Sequence, residues 1–281
     1  MPSISCESEN SAVIDFWRSH PNILVLTGAG FSAPSGIPDY RDANGYWKRG
    51  RPIHHSRFMS DPAVRRQYWF RSFSGWPAFA KAAPNSAHLA LSALERAGHV
   101  RNVVTQNVDG LHQRAGSRRV VDLHGRLDMV DCQNCKERIT RTEVQRQILA
   151  LNTFLELQMT HLAPDGDALI DHSPPDDFRV PECKECGGVL KPNVVFFGGT
   201  VPKPRSALAM ARLISADALV VAGSSLQVYS GSRFIREAKA AGIPVAVVGL
   251  GRTRADSEVD LKVTAACEKL FPIIVQTLVG C

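Results

Sequence analysis

The stretch Asn22-Ile23-Leu24-Val25-Leu26-Thr27-Gly28-Ala29-Gly30-Phe31-Ser32-Ala33 decides how the chain is read. A short apolar run that ends in a glycine turn suits a strand buried on both faces of a parallel sheet. The turn has the spacing G-x-G-x-x-A. Glycines there let backbone come close to a phosphate, and amides at a following helix start can bind the anion. Taken alone, the same pattern also fits a plain tight turn between strand and helix.

Working outward, comparable runs recur at Asn102–Thr105, Val120–Leu123, Asn193–Phe197, Ala218–Ala222 and Val245–Val248. Helix-length segments separate several of them, among them Ser86–Ala97, Pro204–Ile214 and Gly231–Ala241. This alternation predicts βαβ units and a parallel sheet covered by helices, an α/β, Rossmann-like fold. Two stretches break the rhythm: an Arg- and aromatic-rich one from about Ala43 to Trp76, and one from Arg126 to Leu190. The expected layout is a Rossmann-like domain built from 1–42, 77–125 and 191–281. A helical insertion (43–76) and a zinc-binding module (126–190) form a smaller lobe.

With 281 residues, 44% hydrophobic and 21% charged, the composition is that of a globular chain. A chain of this length buries roughly 75% of its unfolded surface, so its core needs no covalent help. No apolar run approaches a membrane span. The polar start MPSISCESEN lacks the pattern of a signal or transit peptide, so a soluble, cytoplasmic protein is expected. The net charge of +6 reads as a solvated surface rather than a nucleic-acid track. Between Arg41 and Arg71 the basic residues cluster in a way that suits a small anionic ligand.

A hydride-transferring dehydrogenase would place an acid about 20 residues after the glycine loop. That neighbourhood is Tyr46-Trp47-Lys48, and the loop instead runs into Ser35-Gly36-Ile37-Pro38-Asp39-Tyr40-Arg41. A dinucleotide held for another purpose follows. Thr105-Gln106-Asn107-Val108-Asp109-Gly110 comes at the end of one strand, and His124 follows another. Polar residues at the carboxyl ends of strands face the ligand crevice of such sheets, so Gln106, Asn107, Asp109 and His124 can converge there. Isolated histidines are mostly structural. His124 is set apart by its place between an apolar strand and Gly125, opposite an amide-rich loop.

The cysteines are seven, an odd number, which argues against a disulfide framework. Four form two C-x-x-C pairs, Cys132/Cys135 and Cys183/Cys186, separated by more residues than a compact zinc ribbon has. Four thiolates close a tetrahedron around Zn²⁺ and leave no position for water, so the metal is expected to be structural.

In this order, GAGFSAPSGIPDYR (28–41), TQNVDG (105–110), LHG (123–125), the paired cysteines, KPNVVFFG (191–198) and GSSLQV (223–228) resemble the successive signatures of the sirtuin family. Val248–Gly251 and Cys267 extend the likeness toward the C-terminus. Tyr68-Trp69-Phe70-Arg71 and the LAPDGD segment resemble the class II sirtuins, which include the mitochondrial lipoyl/acyl-removing type and its bacterial relatives.

The resemblance implies NAD-dependent removal of acyl groups from protein lysines. An acyl-lysine oxygen attacks the nicotinamide ribose, nicotinamide leaves, and an alkylimidate forms. The acyl group then passes to the ribose and departs as O-acyl-ADP-ribose. It implies His124 as general base toward a ribose hydroxyl, with Asn107, Asp109 and Gln106 orienting ribose and nicotinamide. The cofactor-binding set it implies also includes Gly28, Ala29, Gly30, Phe31, Pro38, Asp39, Tyr40, Arg41, Gly223, Ser224, Ser225, Gly249, Leu250, Gly251 and Cys267. Here Ala29, Arg41 and the amides of Gly28 and Gly30 would hold phosphates and ribose, and Asp39 the nicotinamide end or the loop itself. Val194, Val195, Phe196, Phe197 and Gly198 would wall the lysine tunnel and pair with the substrate backbone. Tyr68 and Arg71, three apart on one helix face, match a pair that binds acidic acyl groups in some class II members.

Two positions depart from the family pattern. Gly249 stands where an Asn contacting ribose is usual, and Gly199 where an acid follows F-F-G. The expected partners are acyl-lysine proteins or peptides, not membranes or nucleic acid. Mono-ADP-ribosylation of a protein, and non-catalytic NAD sensing by a zinc protein, stand beside deacylation as other readings of the same residues. Preferred acyl group, targets and oligomeric state are not legible.

Overall fold

The computed structural model describes residues 6–40, 46, 53–155, 163, 165–170 and 172–280. Nine strands alternate with ten helices among them. The strands are β1 (Ile23–Thr27), β2 (Val100–Thr105), β3 (Val120–Asp122), β4 (Gly125–Cys132), β5 (Arg138–Thr140), β6 (Leu190–Val194), β7 (Ala218–Ala222), β8 (Val245–Val248) and β9 (Leu261–Val263). The helices are α1 (Cys6–Ser19), α2 (Ala29–Ser32), α3 (His55–Ser60), α4 (Pro62–Lys81), α5 (Ser86–Arg96), α6 (Leu111–Arg114), α7 (Arg141–Leu151), α8 (Lys203–Ile214), α9 (Tyr229–Ala240) and α10 (Cys267–Leu278).

Six strands form a parallel sheet in the order β3-β2-β1-β7-β8-β9. β1 alternates its side chains between two cores. Ile23 and Val25 belong with Leu91, Leu270 and Phe271, whereas Leu24 and Leu26 belong with Leu213 and Phe234. Both faces are therefore covered, by α1, α5 and α10 on one side and α8 and α9 on the other. This is why β1 reads as an unbroken apolar run. Chain order reverses between β1 and β7, the switch point where open α/β sheets bind ligands. The register leaves the strand ends level: Asp122 lies beside Thr105, Thr105 beside Thr27, Thr27 beside Ala222, and Ala222 beside Val248. The residues that follow each strand thus share one rim.

The second sheet is antiparallel, in the order β5-β4-β6. The run at Asn193–Phe197 differs from expectation here. Its start completes β6 in this small sheet, because Gly125 pairs with Val194, and Val195–Phe197 continue as irregular chain. α4 crosses the expected boundary at residue 76 and ends at Lys81. Asp61 caps it, accepting from the Ala63 and Val64 amides at 2.9 and 3.4 Å, with Pro62 in the first turn. Trp69, Phe73, Val130, Val144 and Cys132 pack together as this lobe's core. No helix among the described residues is long and apolar enough to cross a membrane.

Candidate active site

A cleft of about 820 Å³ opens along the level strand ends, between the large sheet and the small lobe. Gly28, Ala29, Gly30, Gln106, Asn107, Asp109, His124, Gly223, Ser224, Ser225, Gly249, Leu250, Gly251 and Cys267 all line it. So do Pro38, Asp39, Tyr40, Tyr68 and the stretch Val194–Gly198. Residues as far apart in sequence as Gly28 and Cys267 are gathered because their strands end on one line.

The glycine loop works differently from expectation. The Gly28 amide donates to Ala222 O at 3.1 Å, and the Gly30 amide to Gly223 O at 2.8 Å. Both donors are engaged within the protein, so they are not the amides that face a phosphate. A Cβ on Gly28 would lie 2.7 Å from Ser224 Cβ, and one on Gly30 3.0 Å from Gly223 O. The missing side chains let the loops after β1 and β7 lie directly on one another. Gly223 itself has φ +64, where a side chain is strained. Phe31 is a second correction. Its ring is fully buried against Phe271, His88 and His112, with centroids 5.3, 5.0 and 5.2 Å away, and it belongs to the core rather than the cleft. Its side chain anchors the loop by roughly 1.5–3 kcal/mol of burial. Arg41 lies outside the described residues.

Asn107 and Asp109 are fixed to that loop through Ser32, a residue that sequence reasoning missed. Asn107 Nδ2 donates to Gly28 O and to Ser32 Oγ, both at 2.9 Å. Ser32 Oγ donates to Asp109 Oδ2 at 2.7 Å, and the Leu111 amide donates to Oδ1 at 2.8 Å. Burial raises the Asp109 pKa, and those two hydrogen bonds pull it back toward the ionised form. Ser32 stands inside the glycine motif, and that membership was the available signal.

His124 has both ring nitrogens committed. Nδ1 lies 2.8 Å from Gln106 O and Nε2 lies 2.8 Å from Ser230 Oγ. A carbonyl only accepts, so Nδ1 carries the proton and Nε2 presents its lone pair. Desolvation lowers the His124 pKa, the Gln106 carbonyl opposes this, and the Arg205 charge adds to the lowering. The ring is therefore a neutral base at pH 7. Gln106 also accepts from Ser224 Oγ through its side chain at 2.6 Å, so one residue links the loops after β2 and β7 to the imidazole.

Toward the small lobe the cleft becomes apolar. Ile37, Val108, Leu127, Phe79, Val194 and Phe196 line it. Tyr68 packs edge-on against Phe196 at 5.3 Å, and burial raises its hydroxyl pKa, which keeps it protonated. Two main-chain groups expected to pair with substrate are already bonded: the Val195 amide to His124 O, and Phe197 O to the His55 amide, both at 2.8 Å. Arg71 does not line the cleft; it donates to Asp167 at 3.2 Å. Asp165, which does line it, lies within the field of Arg71.

The four cysteines come together. Cys132 and Cys186 Sγ are 3.6 Å apart, as are Cys135 and Cys183, and all four lie within 4.8 Å of one another. A tetrahedron with Zn–S bonds of ~2.3 Å has edges of roughly 3.8 Å, so the donor set fits one zinc ion. A Cβ on Gly188 would lie 2.8 Å from Cys132 Sγ and 3.1 Å from Cys186 Sγ, which keeps this position bare.

The glycine loop, the rim of amides and the thiolate cage together define a dinucleotide-binding α/β protein with a structural metal lobe. Residues 28–230 match the Sir2 family, and the chain belongs to it. An NAD-dependent protein deacetylase of Xanthomonas campestris pv. campestris is 48% identical over 98% of this chain and 94% of its own length. NAD-dependent protein deacetylase 2 of Bradyrhizobium diazoefficiens is 50% identical over 92% of this chain and 95% of its own. The NAD-dependent protein deacylase Sirt4 of Drosophila melanogaster is 45% identical, over 95% of this chain and 86% of its own. Among solved structures, a Sir2 variant with deacetylated p53 peptide and 3'-O-acetyl ADP-ribose is similar at TM-score 0.78. It shares 30% identity, and the match covers 97% of this chain and 99% of that one. Sir2 with a p53 peptide and NAD⁺ has TM-score 0.74 and 28% identity, covering 95% and 97%.

Proposed function

We propose that this chain removes acyl groups from protein lysines with NAD as co-substrate, releasing nicotinamide and O-acyl-ADP-ribose. The observation that carries the reading is His124. A neutral imidazole of defined tautomer stands where a polar, glycine-lined half of the cleft meets an apolar half. The polar half suits the dinucleotide and the apolar half suits an acyl-lysine chain.

Each residue then has a task. Asn107, Asp109 and Gln106 hold the nicotinamide ribose, positioned by Ser32 and by the loop after β1. Fixing the reactants in this way makes the attack nearly unimolecular. His124 Nε2 takes the proton of a ribose hydroxyl. Ala29, Ser224, Ser225, Gly249, Leu250, Gly251 and Cys267 bind the rest of the nucleotide, with Pro38, Asp39 and Tyr40 closing over its nicotinamide end. Gly28, Gly30 and Gly223 contribute by letting two loops touch. Val194–Gly198 and Tyr68 wall the acyl channel and exclude water. We read Arg71 as the group that meets an acidic acyl terminus, in competition with Asp167. Cys132, Cys135, Cys183 and Cys186 hold one structural zinc, which stabilises the small lobe and takes no part in the reaction. Thiolate ligands must stay reduced, which suits the cytoplasm.

Incubation with NAD and an acetyl-lysine peptide, followed by mass spectrometry, tests the reading. Nicotinamide and O-acetyl-ADP-ribose in equal amounts are the expected products. Mass added to a protein instead would indicate ADP-ribosyl transfer. Binding of NAD with no product would indicate a sensor.

A further inference from the structure

We infer that Ser230 is a positioning residue for the base: its hydroxyl bonds to His124 Nε2 and holds the imidazole in one place at the wall of the cleft. The inference rests on the deacylase reading and deepens it.

Ser230 is the second residue of α9. A serine at the start of a helix usually caps it or meets solvent. Here no side-chain hydrogen bond caps α9, and the Ser230 hydroxyl goes to His124 at 2.8 Å instead. In the neutral ring Nδ1–H donates to Gln106 O, so Nε2 accepts and Ser230 is the donor. An imidazolium has no lone pair at Nε2, so on protonation the hydroxyl turns round and accepts from Nε2–H. The bond therefore fixes where the ring stands in both protonation states. A Gly231 Cβ would lie 2.5 Å from Gln106 Nε2, so the Gln106 amide rests on the first turn of α9. Gln106 and α9 thus grip the two sides of the same ring. A ribose hydroxyl that gives its proton to Nε2 must take the place of Ser230, which makes the serine a stand-in for substrate until NAD arrives.

Charged groups also lie on the elements around His124. Arg205 of α8 lowers its pKa. Asp122 of β3 accepts hydrogen bonds from Gln113 at 2.9 Å on both its oxygens. Arg126 of β4 pairs with Asp128, Asp109 is held by Ser32 and Leu111, and Arg233 of α9 reaches Glu237 and Ser206, both at 3.4 Å. Replacing the Ser230 hydroxyl leaves all of these groups in place, so its effect on the ring can be read separately.

The test follows the His124 imidazole by NMR in the full-length enzyme, alongside kcat/KM for NAD. In Ser230→Ala the His124 Nε2 resonance should lose its hydrogen-bonded shift, and kcat/KM for NAD should fall about five-fold as the ring leaves its place, the size expected for one neutral hydrogen bond. Ser230→Thr should restore both. Ser230→Cys, a near-isosteric weak donor, gives the same reading if the alanine variant unfolds. An unchanged Nε2 resonance and kcat/KM in Ser230→Ala, or a threonine variant that behaves like alanine, overturns the inference. The NMR measurement needs no turnover, so an inactive wild type would sink the deacylase reading while leaving the Ser230 result interpretable.

Discussion

The Arg71 guanidinium lies 3.2 Å from the Asp167 carboxylate, and neither residue lines the cleft, although Asp165 beside them does. Asp167 is buried at 2% exposure, whereas Arg71 keeps 31%. Burial and the neighbouring Asp165 push the Asp167 pKa up, and Arg71 opposes them. An acidic acyl group entering the cleft would compete with Asp167 for Arg71. Asp167→Asn should therefore raise the succinyl-to-acetyl ratio of kcat/KM several-fold, and Arg71→Met should lower it. Two acyl-peptides assayed side by side check this. Equal changes on both would place Arg71 in the scaffold alone.

Gly249 has room for a side chain. The nearest atoms to an added Cβ are Gly223 N at 3.9 Å and Gly223 Cα at 4.0 Å, ordinary contact distances. Its neighbours Leu250 and Gly251 line the same cleft. Gly249→Asn should fold normally and supply a ribose hydrogen bond, worth about 1 kcal/mol. The KM for NAD should fall roughly five-fold with kcat nearly unchanged. A raised KM would show that this part of the cleft is already filled by the nucleotide.

His124→Ala should lower acyl transfer by about 10²–10⁴-fold, the usual span for a general base. NAD should still bind, and nicotinamide release, which precedes the proton transfer, should fall less. Because burial holds the wild-type imidazole below its usual value of 6.5, activity should persist as pH drops through 6.5 and be lost only at lower pH. A kcat/KM profile whose acid limb sits above 6.5 would contradict the buried neutral base.

Cys132→Ser or a strong chelator should remove one zinc per chain and melt the lobe whose core includes Cys132, Cys183 and Trp69. Metal analysis with a thermal scan reads both changes. β6 leads directly into the Val195–Phe197 wall, so activity should fall together with metal content, although none of the four zinc thiolates lines the cleft. Full activity in a zinc-free variant would refute the structural role.

Ile23–Thr27 and Ala218–Ala222 could be read from sequence because strands buried on both faces leave unbroken apolar runs, whereas the run at Asn102–Thr105 showed only part of β2, which begins at Val100 beyond the exposed Arg101. The cysteine cluster was legible because C-x-x-C carries its geometry within four residues. Asn107, Asp109 and His124 were legible as strand-end polar residues. The run at Asn193–Phe197 was not resolvable by pattern. Whether Leu190–Val194 joins the parallel sheet or pairs with Gly125–Cys132 depends on a partner strand far earlier in the chain.

What the sequence determined by itself was the fold class and the family, since these follow from local periodicity and short motifs, whereas the strand order that places the switch point came from the packed sheet. Tertiary structure alone decided that Gly28 and Gly30 serve loop-on-loop packing, that Phe31 belongs to the core, and that Arg71 is paired. It also brought Ser230 to His124 across 106 positions. A hydrogen bond fixes a donor and an acceptor in space, and only the packed chain brings residues so distant in sequence within about 3 Å of each other.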